Sequence, residues 1–276
     1  MTAALMLTTD IDGFDRIEQG PLTVLVRPEW RDCLLADLLR DFEGVPAEAR
    51  RVYAHGRVKH FSYRPKDAPA RVFVRRARRG GALGALLGGL YAGGGRPIQE
   101  LRAVQAARAA GVGVPEPLAV VARAAGPFHR LSIVSREIEG ASDLLSLAGT
   151  LAPAAKRDLL RRVADEMRRL HEAGVYHADL TMKNILVAGE SIYFIDLDKA
   201  VLQGHRDGRL DVANLSRLNR SIVKLFGAAG TITRTDKIRF LLRYLGARDR
   251  VKELSTLCSQ GLWKHRLWWS LVGHNT

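Results

Sequence analysis

The chain has 276 residues, near the upper limit for one domain and equally compatible with two tightly joined lobes. Hydrophobic residues make up 47% and charged residues 26%, a balance that excludes a disordered tail protein, a collagen-like fibre and a coiled coil. The net charge is +14, from 43 Lys and Arg against 29 Asp and Glu, so the expected partners are phosphates or other anions. The excess is mostly arginine, which forks onto phosphate or carboxylate. It is spread through several segments, and no zinc-finger or RNA-binding signature accompanies it, so nucleic acid is not an expected partner. Cys33 and Cys258 cannot build a disulfide framework, which points to a reducing compartment. Met1 to Leu7 lack the basic start of a secretory signal, and no apolar run reaches the roughly 18 residues of a membrane span.

Residues 1–50 read as an N-terminal extension with a short amphipathic helix from Pro28 to Leu39. From Arg51 the pattern turns to strands: Val52 to Ala54, then Val58 to Tyr63, then Arg71 to Arg75, with turns at His55-Gly56-Arg57 and Pro65 to Pro69. Gly80 to Gly95 is a glycine-rich loop or short helix, with contact to a lipid surface as the alternative. A helix over Pro97 to Ala110 closes at Gly111, and Leu118 to Val121 and Leu131 to Ile138 are two more strands. The second half is helical. Pro153 to Ala173 carries Leu159, Val163, Met167 and Leu170 on one face and ends at Gly174. Asn184 to Val187 and Ile192 to Ile195 form a hairpin, and helices follow from Asp211. The expected fold class is α+β: residues 51–140 a small antiparallel β-rich lobe with one helix, residues 141–276 a larger helical lobe.

The chemistry concentrates in Tyr176-His177-Ala178-Asp179-Leu180-Thr181-Met182-Lys183-Asn184 and Phe194-Ile195-Asp196-Leu197-Asp198. An aspartate precedes an asparagine by five positions, and a second aspartate ends the next apolar strand. With the long helix before and the hairpin between, these parts match the order of the protein-kinase-like core. Phosphoryl transfer from ATP needs a carboxylate to orient or deprotonate the acceptor hydroxyl, which suits Asp179. It needs hard oxygen ligands for magnesium, which suit Asn184 and Asp196. Any one of these residues alone would read as a turn cap; three at this spacing between these elements do not.

The strand-rich half should then anchor ATP. Val72-Phe73-Val74-Arg75 fits the strand that carries the ATP-binding lysine, with Arg75 in its place and Phe73 on the same face. Glu100, early in the following helix, is the natural partner of Arg75, an exposed helical carboxylate being the alternative. Arg76, Arg78 and Arg79 compete as phosphate contacts. The phosphate lid around Gly56 has one glycine where kinases usually have three, with Arg57 as a partial substitute for backbone amides.

VFVRRARRGG from Val72, GVGVPEPLA from Gly111, VSREIEG from Val134, YHADLTMKNIL from Tyr176, FIDLDKA from Phe194, Asn214 to Ser221 and Arg243 to Gly246 together resemble the bacterial lipopolysaccharide kinase family. Within that family it resembles the 3-deoxy-D-manno-octulosonic acid (Kdo) kinases, and the resemblance covers roughly Arg51 to Trp269. It implies a bilobal protein-kinase-like fold and ATP- and magnesium-dependent phosphorylation of a Kdo hydroxyl on a lipid A precursor. It also implies peripheral attachment to an anionic membrane surface, at the cytoplasmic face of the bacterial inner membrane. Ala178 stands where regulated protein kinases carry arginine, and Lys199 to Asp211 is short for a peptide-docking segment; both favour a small-molecule or glycolipid acceptor. Kdo carries a carboxylate and lipid A carries phosphates, which arginines can clamp. The tail Trp263 to Trp269 mixes aromatic and basic residues and suits a headgroup layer, with packing on the helical lobe as the alternative. A core heptose kinase, another small-molecule kinase and a kinase-like binding protein without turnover are the rival readings.

Overall fold

The computed structural model describes residues 11–55, 58–77, 95–126, 128–226, 231–248, 250–252 and 254–258. It divides into two compact units, Met1–Leu101 with Pro115–Ile138, and Arg102–Val114 with Glu139–Thr276.

The first unit is built on a seven-stranded antiparallel sheet of β1 (Asp15–Gln19), β2 (Leu22–Val26), β3 (Arg51–His55), β4 (Val58–Tyr63), β5 (Val72–Arg76), β6 (Pro117–Ala125) and β7 (Phe128–Arg136). The strand order is β1-β2-β6-β7-β5-β4-β3. Helix α1 (Pro28–Leu39) begins with a proline, whose missing N–H costs nothing in the first turn, and buries Trp30, Leu34 and Leu38 at four-residue spacing. These pack with Val24, Val26, Val72, Val74, Val121 and Val134. The alternate residues Leu25, Val120, Ala122 and Leu131 pack instead with Ile98 and Leu101 of helix α2 (Gly95–Ala109). A strand covered on both faces loses the usual polar alternation, and all five residues of β2 are buried.

Residues 11–49 are therefore not an extension. The β1–β2 hairpin turns at Gly20, pairs Leu22–Val26 with Val26's neighbour strand β6, and completes the sheet. β1 reads DRIEQ because it is an edge strand whose polar side chains meet water and discourage further pairing. The first unit's second segment ends at Ile138, and Arg102–Val114 belongs with the second unit.

The second unit contains α3 (Leu144–Ala148), α4 (Pro153–Glu172), α5 (Gly208–Phe226) and α6 (Arg234–Leu245). Two small sheets accompany them: β8 (Ser142–Asp143), β10 (Ile185–Ala188) and β11 (Ser191–Phe194) in the order β11-β10-β8, and β9 (Val175–Tyr176) paired with β12 (Val201–Leu202). One core gathers Leu159, Val163, Met167 and Leu170 of α4, Leu180, Met182 and Ile185 after it, Leu215 and Leu218 of α5, and Tyr244 of α6. Gly174 closes α4 at φ 68°, and a Cβ there would lie 2.2 Å from the Gln203 carbonyl oxygen, so glycine alone fits. The chain then enters β9 and the loop that carries the chemistry. Gly56, Arg57, Arg78, Arg79, most of the Gly80–Gly95 stretch and the Trp263–Trp269 tail lie outside the described residues.

Candidate active site

The loop from His177 to Asn184 is held by apolar plugs and by a hydrogen-bonded frame. Leu180 and Met182 are fully buried, while Asp179 and Lys183 are exposed, so the loop turns its charged residues outward. His177 has no exposed surface. Its backbone N–H donates to Asn214 Oδ1 of α5 at 2.9 Å. The Asp179 N–H donates to His177 Nδ1 at 3.1 Å, which makes Nδ1 an acceptor and puts the ring proton on Nε2. Nε2–H then donates to the Ile195 carbonyl oxygen at 2.8 Å. Burial pushes the His177 pKa below its ordinary value, against hydrogen bonding to Ile195 and the nearby Asp196 and Asp179, so the ring is held neutral.

Asn184 closes the frame. Its Nδ2 donates to the Asp179 carbonyl oxygen at 2.8 Å, and its carbonyl oxygen accepts from Ile195 N–H at 3.0 Å. Ile195 is thus tied at both backbone groups, one to each end of the loop. Asp196, the next residue, sits at φ 65° in the left-handed region, where a non-glycine side chain is uncommon and Asp and Asn are the tolerated exceptions. Asn184 Oδ1 and the Asp196 carboxylate are hard oxygens, the kind that suits magnesium. Among the described residues no group of three or more His, Cys, Asp and Glu converges as a metal site, so this pair would need ligand oxygens to complete a coordination shell.

Two features escape a reading of the sequence. Arg217 Nη1 reaches Asp179 Oδ1 at 3.1 Å. Beneath the loop, His171 stacks on Tyr176 with ring centroids 5.0 Å apart and contacts Tyr244 Oη at 2.7 Å and Asn214 Oδ1 at 3.3 Å. Arg206 donates to Asp211 Oδ2 at 2.7 Å and to Tyr244 Oη at 2.8 Å. Asn214, Arg217 and Ser221 share one face of α5 by helical spacing, but the helix also carries Arg209, Asp211, Asn219, Arg220 and Lys224, so its sequence does not single them out.

In the first unit, strand alternation buries Val72 and Val74 and puts Phe73 and Arg75 on the other face. Phe73 lies 5.6 Å from the Tyr53 ring and 5.8 Å from that of His60. Arg75 makes an ion pair with Glu100 of α2, the partner expected from the sequence, and both are largely buried. Glu137, absent from the expected site, accepts from Arg71 Nε and Ser62 Oγ at 2.9 Å each and from Tyr53 Oη at 2.5 Å.

The order of elements, the loop frame and the Arg75–Glu100 pair define a protein-kinase-like fold. A solved structure, "WaaP in complex with acyl carrier protein", matches 87% of this chain and 97% of its own with a TM-score of 0.60 at 22% identity, a likeness of fold. The model of the lipopolysaccharide kinase (Kdo/WaaP) family matches residues 58–244, and the chain belongs to that family. It is 34% identical over 156 residues to a 3-deoxy-D-manno-octulosonic acid kinase of Vibrio vulnificus, covering 55% of this chain and 64% of the relative. It is 31% identical over 181 residues to one of Photobacterium damsela subsp. piscicida, covering 62% and 72%. The chain thus spans less than two thirds of the length of the Vibrio relative.

Proposed function

We propose that the protein transfers the γ-phosphoryl group of ATP to a hydroxyl of a Kdo sugar on a lipid A precursor. The observation that carries this is the frame in which His177 and Asn184 fix the backbone of Asp179 and of Ile195, the residue before Asp196. Such preorganisation matters because phosphoryl transfer depends on positioning and charge more than on covalent chemistry. Asp179 orients the acceptor hydroxyl and takes its proton as the hydroxyl oxygen bonds to phosphorus and the bond to the bridging oxygen of ADP breaks. Asn184 Oδ1 and the Asp196 carboxylate would hold magnesium, which supplies charge neutralisation at the phosphate oxygens. Arg75, steadied by Glu100, contacts ATP phosphates. Gly56 and Arg57 are proposed to assist there. The named activity of the Vibrio and Photobacterium relatives supports the choice of Kdo.

A lipid acceptor places the enzyme at a bilayer surface. Among the described residues no helix is long and apolar enough to cross a membrane. A charge of +14 supports reversible attachment to anionic lipid on the cytoplasmic face, at about 1 kcal/mol per basic residue near the surface. The test incubates the protein with labelled ATP, magnesium and Kdo-bearing lipid A precursor, identifies the product by mass, and uses Asp179→Ala as control. Product from the wild type and a loss of about 100-fold or more in the variant is expected. No product, or product undiminished by the substitution, overturns the reading.

A further inference from the structure

Helix α5 lays three polar residues against the catalytic loop. Asn214 and Ser221 each accept from a loop backbone amide, His177 N–H at 2.9 Å and Met182 N–H at 3.3 Å. Arg217, between them, does something different: it grips the side chain of Asp179 at 3.1 Å. Arg217 and Asp179 are 43% and 52% exposed, so water screens the pair and it adds little to folding. The guanidinium has further N–H groups to offer, and the fold gains little from placing it there.

Arg220, three residues on, is half-buried. No acidic partner is found for it among the described residues. Burial first, and the charge of Arg217 second, pull its pKa below the ordinary arginine value, so the two cations feel one another. Three apart on one helix, the two side chains are surface neighbours, and like charges so placed, one of them partly desolvated, are unfavourable until an anion joins them. An exposed carboxylate gripped by Arg217, with Arg220 three residues further along the same helix, is suited to an acceptor whose reactive hydroxyl neighbours an oxyanion.

Resting on the kinase reading above, we propose that Arg217 and Arg220 bind an oxyanion of the acceptor. In doing so Arg217 exchanges Asp179 for that oxyanion and frees the Asp179 carboxylate to receive the hydroxyl proton. The oxyanion is either the carboxylate of the sugar acid or a phosphate of lipid A. Arg217 and Arg220 are then the residues that select an acidic acceptor over a neutral sugar.

The test uses the full chain as wild type, Arg217→Gln, Arg220→Gln and Asp179→Asn. Three probes in detergent are compared: Kdo-bearing lipid A precursor, the same molecule with the sugar carboxyl as its methyl ester, and bisphosphorylated lipid A lacking the sugar. Steady-state rates and calorimetric binding are both measured. Either arginine variant should raise the acceptor KM about 10- to 100-fold, the scale of one or two charge-assisted hydrogen bonds, while the KM for ATP moves less than about two-fold. If the carboxylate is the source, esterification weakens wild-type binding by a similar factor and weakens the Arg217→Gln variant, which keeps only Arg220, by less. If a phosphate is the source, acid and ester bind alike, and both the sugar-free lipid and the acid lose affinity in the variants. Acceptor binding that ignores both substitutions, or a wild type that binds none of the probes, overturns the proposal. Arginine-dependent binding of an acceptor that the wild type never phosphorylates would instead overturn the kinase reading.

Discussion

Replacing His177 with leucine isolates what the loop frame contributes. The imidazole satisfies two backbone groups, the Asp179 N–H at 3.1 Å and the Ile195 carbonyl at 2.8 Å, at a residue with no exposed surface. Leucine fills much of the volume but offers neither an acceptor nor a donor. Each orphaned buried group costs about 1–3 kcal/mol, so the variant should lose about 2–6 kcal/mol. That is a large part of the 5–15 kcal/mol typical of a folded domain. Urea unfolding should show a midpoint lowered by about 1–2 M at an unchanged slope. Turnover should fall by about 100-fold or more even where the variant is fully folded, because both Asp179 and the residue before Asp196 lose their anchor. His177→Gln, whose amide can still donate to Ile195, should fall between the two. A leucine variant with wild-type stability and rate would refute the frame as the device that sets the site.

Three further outcomes are expected. Burial, against the charge of Asp211, lowers the His171 pKa to about 4, and burial lowers that of His177 as well. The unfolded chain therefore binds more protons than the folded one below about pH 6.5. Stability is complete above that value and falls as pH drops toward 4, by about 2 kcal/mol from His171 alone at pH 5; urea melts at pH 7.5 and 5 that coincide would contradict it. Asp196→Asn keeps a side chain that tolerates φ 65° but removes the charge, so thermal stability should hold while magnesium-dependent nucleotide protection disappears. Asp196→Val should in addition cost about 1–3 kcal/mol in backbone strain, and equal melting of the two variants would argue against it. Arg75→Met should destabilise by about 3 kcal/mol and weaken ATP binding about ten-fold, by stripping a cation from the buried Glu100. Adding Glu100→Leu should restore stability but not ATP affinity, and a recovery of both in calorimetry would rule out the nucleotide role of Arg75.

The legible parts of the molecule are those written in short range. The apolar stripe of α4, the hairpin of β10 and β11, and the Asp179, Asn184, Asp196 spacing all lie within one stretch of about fifty residues and follow from local periodicity. Glu100 was legible because the strand face and its place early in the next helix limit its choices. Arg217 was not, because its partner is 38 positions away and nothing in α5 alone marks it as more than a solvated arginine. The role of His177 was hidden for the same reason, since its ring bonds to Ile195, 18 positions on. The β1–β2 hairpin was missed because β1 is a polar edge and β2, buried on both faces, carries no alternation to recognise.

That hairpin bears on where this protein can be cut. The family model begins at residue 58, but the folded unit begins more than forty residues earlier. A shortened version that started at the family border would bare the backbone edge of β6 along its pairing with β2. It would also uncover the apolar face on which Trp30, Leu34 and Leu38 now sit, each at most 2% exposed. An open edge beside an apolar face is a template for self-association, so such a fragment would keep Arg75, Glu100, Asp179, Asn184 and Asp196 and still be expected to aggregate. The border of shared ancestry and the border of a foldable unit are different lines on this chain.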